Sequence, residues 1–151
     1  MRLVCVDAGF LIGLYDDRDQ HHAKAAHHFL QLFGKNNSNC LVVPWPILYE
    51  TVSTRLVRNR KGMRGLQNDW SQLSRNKRLR LLPDNQYRTQ VIQDCFDELG
   101  KPSGSYRALS ASDRVVRNIL ADRKMQINAF VTFNRNDFLD VCIKFKRQLI
   151  C

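Results

Sequence analysis

Apolar positions along the chain come in short runs separated by polar breaks. The run Leu3-Val4-Cys5-Val6 predicts a first buried strand over Arg2 to Val6, ended by Asp7. Ala8 to Tyr15 is too apolar to face water and predicts a short buried helix starting directly after Asp7. The polar stretch Asp16-Asp17-Arg18-Asp19 breaks the pattern. A second helix follows, in which Ala25, Ala26, Phe29, Leu32 and Phe33 share one face at helical spacing. Gly34 to Asn39 reads as a turn. Cys40 to Val43 reads as a second buried strand, stopped by Pro44 and Pro46.

From Ile47 to about Val57 the pattern is helical again, with Leu48, Val52 and Leu56 as its apolar stripe and Glu50 well off it. A basic segment interrupted by Gly62 and Gly65 leads into a weak helix around Leu66 to Leu73. Leu79 to Leu82 predicts a third strand before Pro83. A helix from about Asn85 to Leu99 is expected to turn Val91, Ile92, Cys95, Phe96 and Leu99 to the core, and Lys101 to Ser105 is a loop. Ser110 or Ser112 caps the next helix, whose core face is Val115, Val116, Ile119 and Leu120, with Asp113 in its first turn. Ile127 to Phe133 predicts a fourth strand and Val141 to Phe145 a fifth.

Strands alternating with helices of about 10–15 residues predict a three-layer α/β/α sandwich with a central, mostly parallel sheet. At 151 residues the chain is expected to form a single domain over residues 1–151, large enough for a core without disulfides. The five cysteines form no CxxC pair and are odd in number, which argues against a zinc knuckle and a disulfide framework and suits a reducing compartment. No apolar run has the length of a membrane span, and Asp7 interrupts the N-terminus where a signal peptide needs apolar continuity, so a cytoplasmic location is expected.

Charge changes the picture more than size does. The chain carries 24 Lys and Arg against 14 Asp and Glu, a formal net charge of +10, which favours a polyanionic partner. Basic residues concentrate between Arg55 and Arg80. Against this background a few acids fall where a parallel sheet gathers its ligand site: Asp7 after strand one, Glu50 on the helix after strand two, Asp113 before strand four, and the Asn134 to Asp137 turn after it. Hard carboxylate oxygens suit Mg²⁺ or Mn²⁺, and such a site facing a polyanion points to phosphodiester hydrolysis. Each acid also has an ordinary explanation. Asp7 can cap the following helix, Glu50 can be a surface residue, and Asp113 can pair with Arg117 at i,i+4. Asp137 can cap a last helical turn, and Asn134 can serve a turn.

At these residues the sequence resembles the PIN-domain family, in particular the compact ribonucleases of the virulence-associated toxin type. The resemblance rests on Val4 to Ile12 with Asp7 at the strand end, on His22 and Ala25, and on Glu50 within Pro46 to Thr51. It continues through Leu109-Ser110-Ala111-Ser112-Asp113 and through Thr132-Phe133-Asn134 to Phe138. It spans almost the whole chain in order. It implies a PIN-like fold and a metal-dependent endoribonuclease using Mg²⁺ or Mn²⁺, with Asp7, Glu50 and Asp113 as the metal-binding core. The fourth family position, usually Asp, falls on Asn134, so Asp137 is the alternative contributor, and Thr132 would orient a carboxylate or water. Toxin-type members often form homodimers and are held inactive by a small antitoxin protein. The resemblance extends both expectations to this chain.

Arg58, Arg60, Lys61 and Arg64 are the first candidates for contacts to RNA phosphates, with a solvated face as the plain alternative. Trp70 and Tyr106 can stack on bases or anchor local packing. His21, His22, His27 and His28 have no partner spaced for zinc and are not expected to be ligands. Two other functions stay open: a noncatalytic RNA-binding or scaffold domain of the same fold with a decayed metal site, and a structure-specific DNA nuclease.

Overall fold

The computed structural model describes every residue from Met1 to Cys151. Five strands, β1 (Leu3–Val6), β2 (Cys40–Pro44), β3 (Leu79–Leu82), β4 (Ala129–Val131) and β5 (Gln148–Ile150), form one sheet in the order β3-β2-β1-β4-β5. Every pairing is parallel, with Cys5 opposite Val42 on one side and Phe130 on the other. The three central strands β1, β2 and β4 are buried along their whole length, which is why they read as continuous apolar runs rather than alternating ones.

Seven α-helices make the connections: α1 (Ala8–Tyr15), α2 (His22–Phe33), α3 (Trp45–Val52), α4 (Arg60–Arg75), α5 (Arg88–Leu99), α6 (Ala111–Ala121) and α7 (Arg135–Lys144). Right-handed crossovers running from β1 outward to β3 cover one face, and those returning to β4 and β5 cover the other. The packing agrees: α1 lies against α2 and α4, while α6 lies against α5 and α7. The result is a three-layer α/β/α sandwich. Its strand order reverses between β1 and β4, and at that reversal the carboxyl ends of the two strands open a crevice where ligands bind in such sheets. No helix is long and apolar enough to cross a membrane.

Several elements differ from the sequence expectation. The helix expected to run from Ile47 to Val57 is α3, ending at Val52, followed by a separate 3₁₀ turn over Arg55–Arg58. Pro46 does not stop the strand. It sits in the first turn of α3, where its missing N–H costs nothing. The buried positions of α3 are Ile47 and Thr51, whose hydroxyl donates to the Ile47 carbonyl, while Leu48 and Val52 are only half-buried.

The glycines do not interrupt α4, which runs unbroken through Gly62 and Gly65. A Cβ at Gly62 would lie 2.2 Å from the Tyr15 carbonyl oxygen, so this glycine lets α4 cross close over the end of α1. In α5 the expected core face is wrong. Val91 is buried, but Ile92, Phe96 and Leu99 are exposed, because the helix turns Glu98 inward to Lys101 at 2.8 Å and Arg114 at 3.6 Å. Asn85–Tyr87 forms a 3₁₀ turn ahead of α5. Val141 to Phe145 is not a strand: Val141 and Cys142 share a buried helical face with Phe138 on α7, and the fifth strand comes later, as β5. An apolar run that short has no period of its own to separate helix from strand. Cys5, Cys40 and Cys142 are buried, and all five thiols are free.

Candidate functional site

Asp7 follows β1 directly and lies at the topological crevice. Its backbone N–H continues the sheet by donating to the Val131 carbonyl at 3.2 Å. Its side chain caps α1, with Oδ1 accepting the Phe10 amide at 2.7 Å, and its Oδ2 accepts the hydroxyl of Thr132 at the end of β4. The expected capping role is therefore present, at a carboxylate that also lies at the crevice. Asp7 is only 9 % exposed. Burial is the main cause that pushes its pKa up from 3.8 to about 6. The negative charges of Asp113 and Glu50 push the same way, against the bonds from Thr132 and Phe10.

Glu50 stands exposed on α3, and Asp113 stands half-exposed in the first turn of α6. The two helices pack against each other, and the Glu50 pKa is raised by burial and then by the Asp113 charge, with a Ser112 hydrogen bond opposing. Asp113 forms a capping box with Ser110, the residue that caps α6. Ser110 donates its hydroxyl to Oδ2 at 2.8 Å and accepts the Asp113 amide at 3.0 Å. The i,i+4 pairing of Asp113 with Arg117 does not form, because Arg117 is taken by Asp140 at 2.7 Å.

The structure thus brings Asp7, Glu50 and Asp113 into one electrostatic neighbourhood. None of the chain's ion pairs involves any of the three. In a protein of net charge +10, three neighbouring carboxylates without a cationic partner form an unneutralised acidic centre.

The closing turn is also built. Asn134 caps α7 by position. Its amide donates to the Thr132 hydroxyl oxygen at 2.9 Å, and its side-chain amide donates to Asp137 Oδ2. Thr132, fully buried, therefore links the backbone of this turn to the Asp7 carboxylate. Asn134 and Asp137 engage each other rather than the three acids.

Whether a divalent ion fits has two answers. The donors are suitable in kind, being hard oxygens with no cation of their own. As they stand, however, no group of three His, Cys, Asp or Glu side chains is close enough to hold one ion, so a closed cage is not assembled.

The basic candidates Arg58, Arg60, Lys61 and Arg64 are all exposed on the 3₁₀ turn and the start of α4. Lys61 is paired with Asp17 at 2.9 Å, whereas Arg58, Arg60 and Arg64 form no ion pair. Trp70 packs partly buried against the core behind Arg60 and Arg64, and Tyr106 is exposed.

Sequence reasoning misses the other wall of the site. A cavity of about 550 Å³ next to Asp7 is lined by Ile12, His21, Thr54, Arg55 and Phe133. His21 stacks on Phe133 with ring centroids 4.3 Å apart and planes inclined by 15°. Weighing the histidines only as metal ligands overlooks this use of the ring. The available signal is the position of Phe133, inside the Thr132 to Asn134 segment that the family resemblance already singles out.

No family model and no curated protein sequence matches the chain. Among solved structures it is similar to the crystal structure of Mycobacterium tuberculosis VapC20, a sarcin–ricin loop cleaving toxin. The identity is 17%, the TM-score is 0.58, and the likeness covers 91% of this chain and 94% of that one. The fold is PIN-domain-like and resembles that of the VapC-type toxin ribonucleases.

Proposed function

We propose that this protein is a metal-dependent endoribonuclease, a single PIN-like domain over residues 1–151 that hydrolyses RNA phosphodiesters with Mg²⁺ or Mn²⁺. The observation that carries this reading is the trio Asp7, Glu50 and Asp113: mutually repelling and without a cationic partner, with Asp7 at the crevice where the sheet reverses its strand order. Asp7 and Asp113 would hold the ion and Glu50 would orient its water shell. A bound divalent ion supplies an activated water and neutralises phosphate charge.

The chain's own residues prepare that centre. Thr132 fixes the Asp7 carboxylate, Ser110 fixes Asp113, and burial keeps Asp7 close to its titration midpoint near pH 6, fully ionised only above it. Asn134 and Asp137 would complete the site from the closing turn, and Arg58, Arg60 and Arg64 would hold the RNA backbone. VapC20 is a sarcin–ricin loop cleaving toxin, and by extension RNA, single-stranded or structured, is the substrate class here. The resemblance to the toxin-type ribonucleases makes a small antitoxin protein and a second copy of the chain the expected partners, in the cytoplasm. The test is incubation of the wild type and Asp7→Asn with pooled cellular RNA, with and without Mg²⁺ or Mn²⁺, followed by mapping of new ends. New ends that need both the metal and Asp7 support the proposal.

The separation of the acids favours a second reading. No three of them stand at one ion's reach, and the fourth family position carries the uncharged Asn134, already bound to Asp137. On that reading the protein is a noncatalytic RNA-binding PIN-like domain. It would bind RNA without a divalent requirement, and Asp7→Asn would leave pooled RNA as intact as the wild type does.

A further inference from the structure

The cavity beside Asp7 is lined by side chains that other contacts hold in place. Its aromatic wall is the His21–Phe133 stack. His21 occupies the capping position of α2, yet its side chain makes no capping hydrogen bond, so the imidazole is committed to the stack instead. Its backbone is pinned: the His21 amide donates to Asp19 Oδ1 at 2.8 Å, while Asp19 Oδ2 holds the Arg55 guanidinium at 2.5 Å. Arg55 is gripped again by the fully buried Asp16 at 2.6 Å. Next door, His22 Nδ1 lies 2.9 Å from the Gly13 carbonyl oxygen, and the space above Gly13 is filled by His21 and Phe133. Lys24 reaches to 5.9 Å from the centre of the Phe133 ring.

A fixed aromatic plane, a positioned guanidinium and the hydrogen-bonding groups of Thr54 and Asn134 all open on the cavity that Asp7 lines. Its volume falls within the range of about 300–1,000 Å³ typical of small-ligand sites. A planar heteroaromatic with a polar edge matches this lining. We infer that the recess is a nucleobase subsite: one base of the RNA strand stacks against the His21–Phe133 pair with its polar edge toward Thr54, Arg55 and Asn134, which fixes the register of the strand over the acidic centre. This rests on the RNA-directed reading above, but not on cleavage.

The test is abasic scanning in the Asp7→Asn background, with Mg²⁺ present. Single-stranded oligoribonucleotides each lacking one base are titrated against the Asp7→Asn protein and against the same protein also carrying His21→Ala or Phe133→Leu. The second of these keeps apolar volume but removes the aromatic plane. One abasic position is expected to weaken binding by about tenfold, in line with the usual contribution of base–aromatic stacking. In both double variants that penalty should shrink to less than about twofold, with the other positions unchanged. A penalty that persists in the double variants overturns the subsite, as does RNA binding with no sensitive position. Absence of any RNA binding contradicts the RNA-directed reading itself, and the subsite falls with it.

Discussion

Thr132 at the end of β4 donates its hydroxyl to Asp7 at the end of β1, and the same hydroxyl oxygen accepts the amide of Asn134. One buried side chain thus ties the two strand ends that flank the crevice. It also holds the carboxylate that the proposed chemistry needs in its charged form. Replacing Thr132 by Val keeps the shape and removes the donor. The Asp7 pKa should then rise further above 6, because a bond that favours the charged form is gone. Stability at pH 8 should fall by about 1–3 kcal/mol. Carboxyl NMR titration and urea unfolding check the two effects.

Folding raises the Asp7 pKa from 3.8 to about 6, chiefly through burial. A proton is therefore bound more tightly in the folded state. The stability this contributes is fully present below about pH 4 and is lost as pH rises through 6. The shift corresponds to ~3 kcal/mol of strain carried by the ionised carboxylate at pH 8. Asn also caps helices well. Asp7→Asn should accordingly be more stable than the wild type at pH 8 and nearly equal to it at pH 4, as read by urea denaturation at the two pH values. Added Mg²⁺ should stabilise the wild type at pH 8 and leave Asp7→Asn unchanged.

Arg58, Arg60 and Arg64 are exposed and without acidic partners, whereas Lys61 is held by Asp17. Each Arg→Ala change should weaken binding to single-stranded RNA irrespective of sequence. The slope of log affinity against log salt should become shallower by about 0.7 for each phosphate that is no longer neutralised. Lys61→Ala should have the smallest effect of the four. Affinity measured across a salt series decides this.

Gly62→Ala should destabilise the fold by about 1–3 kcal/mol, since the added methyl would meet the Tyr15 carbonyl oxygen and force α4 away from α1. The neighbouring Gly65→Ala meets only the Tyr15 ring at 3.5 Å, an ordinary contact, and should be tolerated or mildly stabilising. Thermal unfolding of the pair separates close approach at Gly62 from helix propensity alone.

The buried centre of the fold was legible because β1, β2 and β4 are covered on both faces and leave unbroken apolar runs. What the pattern hid was tertiary. Periodicity marks an apolar stripe on α5 without saying which side meets the sheet, and the ion pairs of Glu98 decided that against Ile92, Phe96 and Leu99. Glycine marks breaks in isolated helices, yet Gly62 serves a close crossing inside one. In the candidate site, strand-end and helix-start positions suggested grouping Asp7, Glu50 and Asp113, whose charges do influence one another. That no three such side chains come within one ion's reach was not legible, and the stacking of His21 on Phe133 depends on side-chain packing between segments more than 100 residues apart in sequence.

If the acids at the crevice recruit a divalent ion and cut RNA, the cleavage rate of pooled structured RNA must depend on both the ion and the carboxylates. The decisive measurement is that rate as a function of Mn²⁺ concentration for the wild type, Asp7→Asn and Asp113→Asn. No cutting is expected without the ion, with a saturable rise for the wild type and no rise for either variant. Cutting that is independent of Mn²⁺, or that persists in Asp7→Asn, would contradict the nuclease assignment.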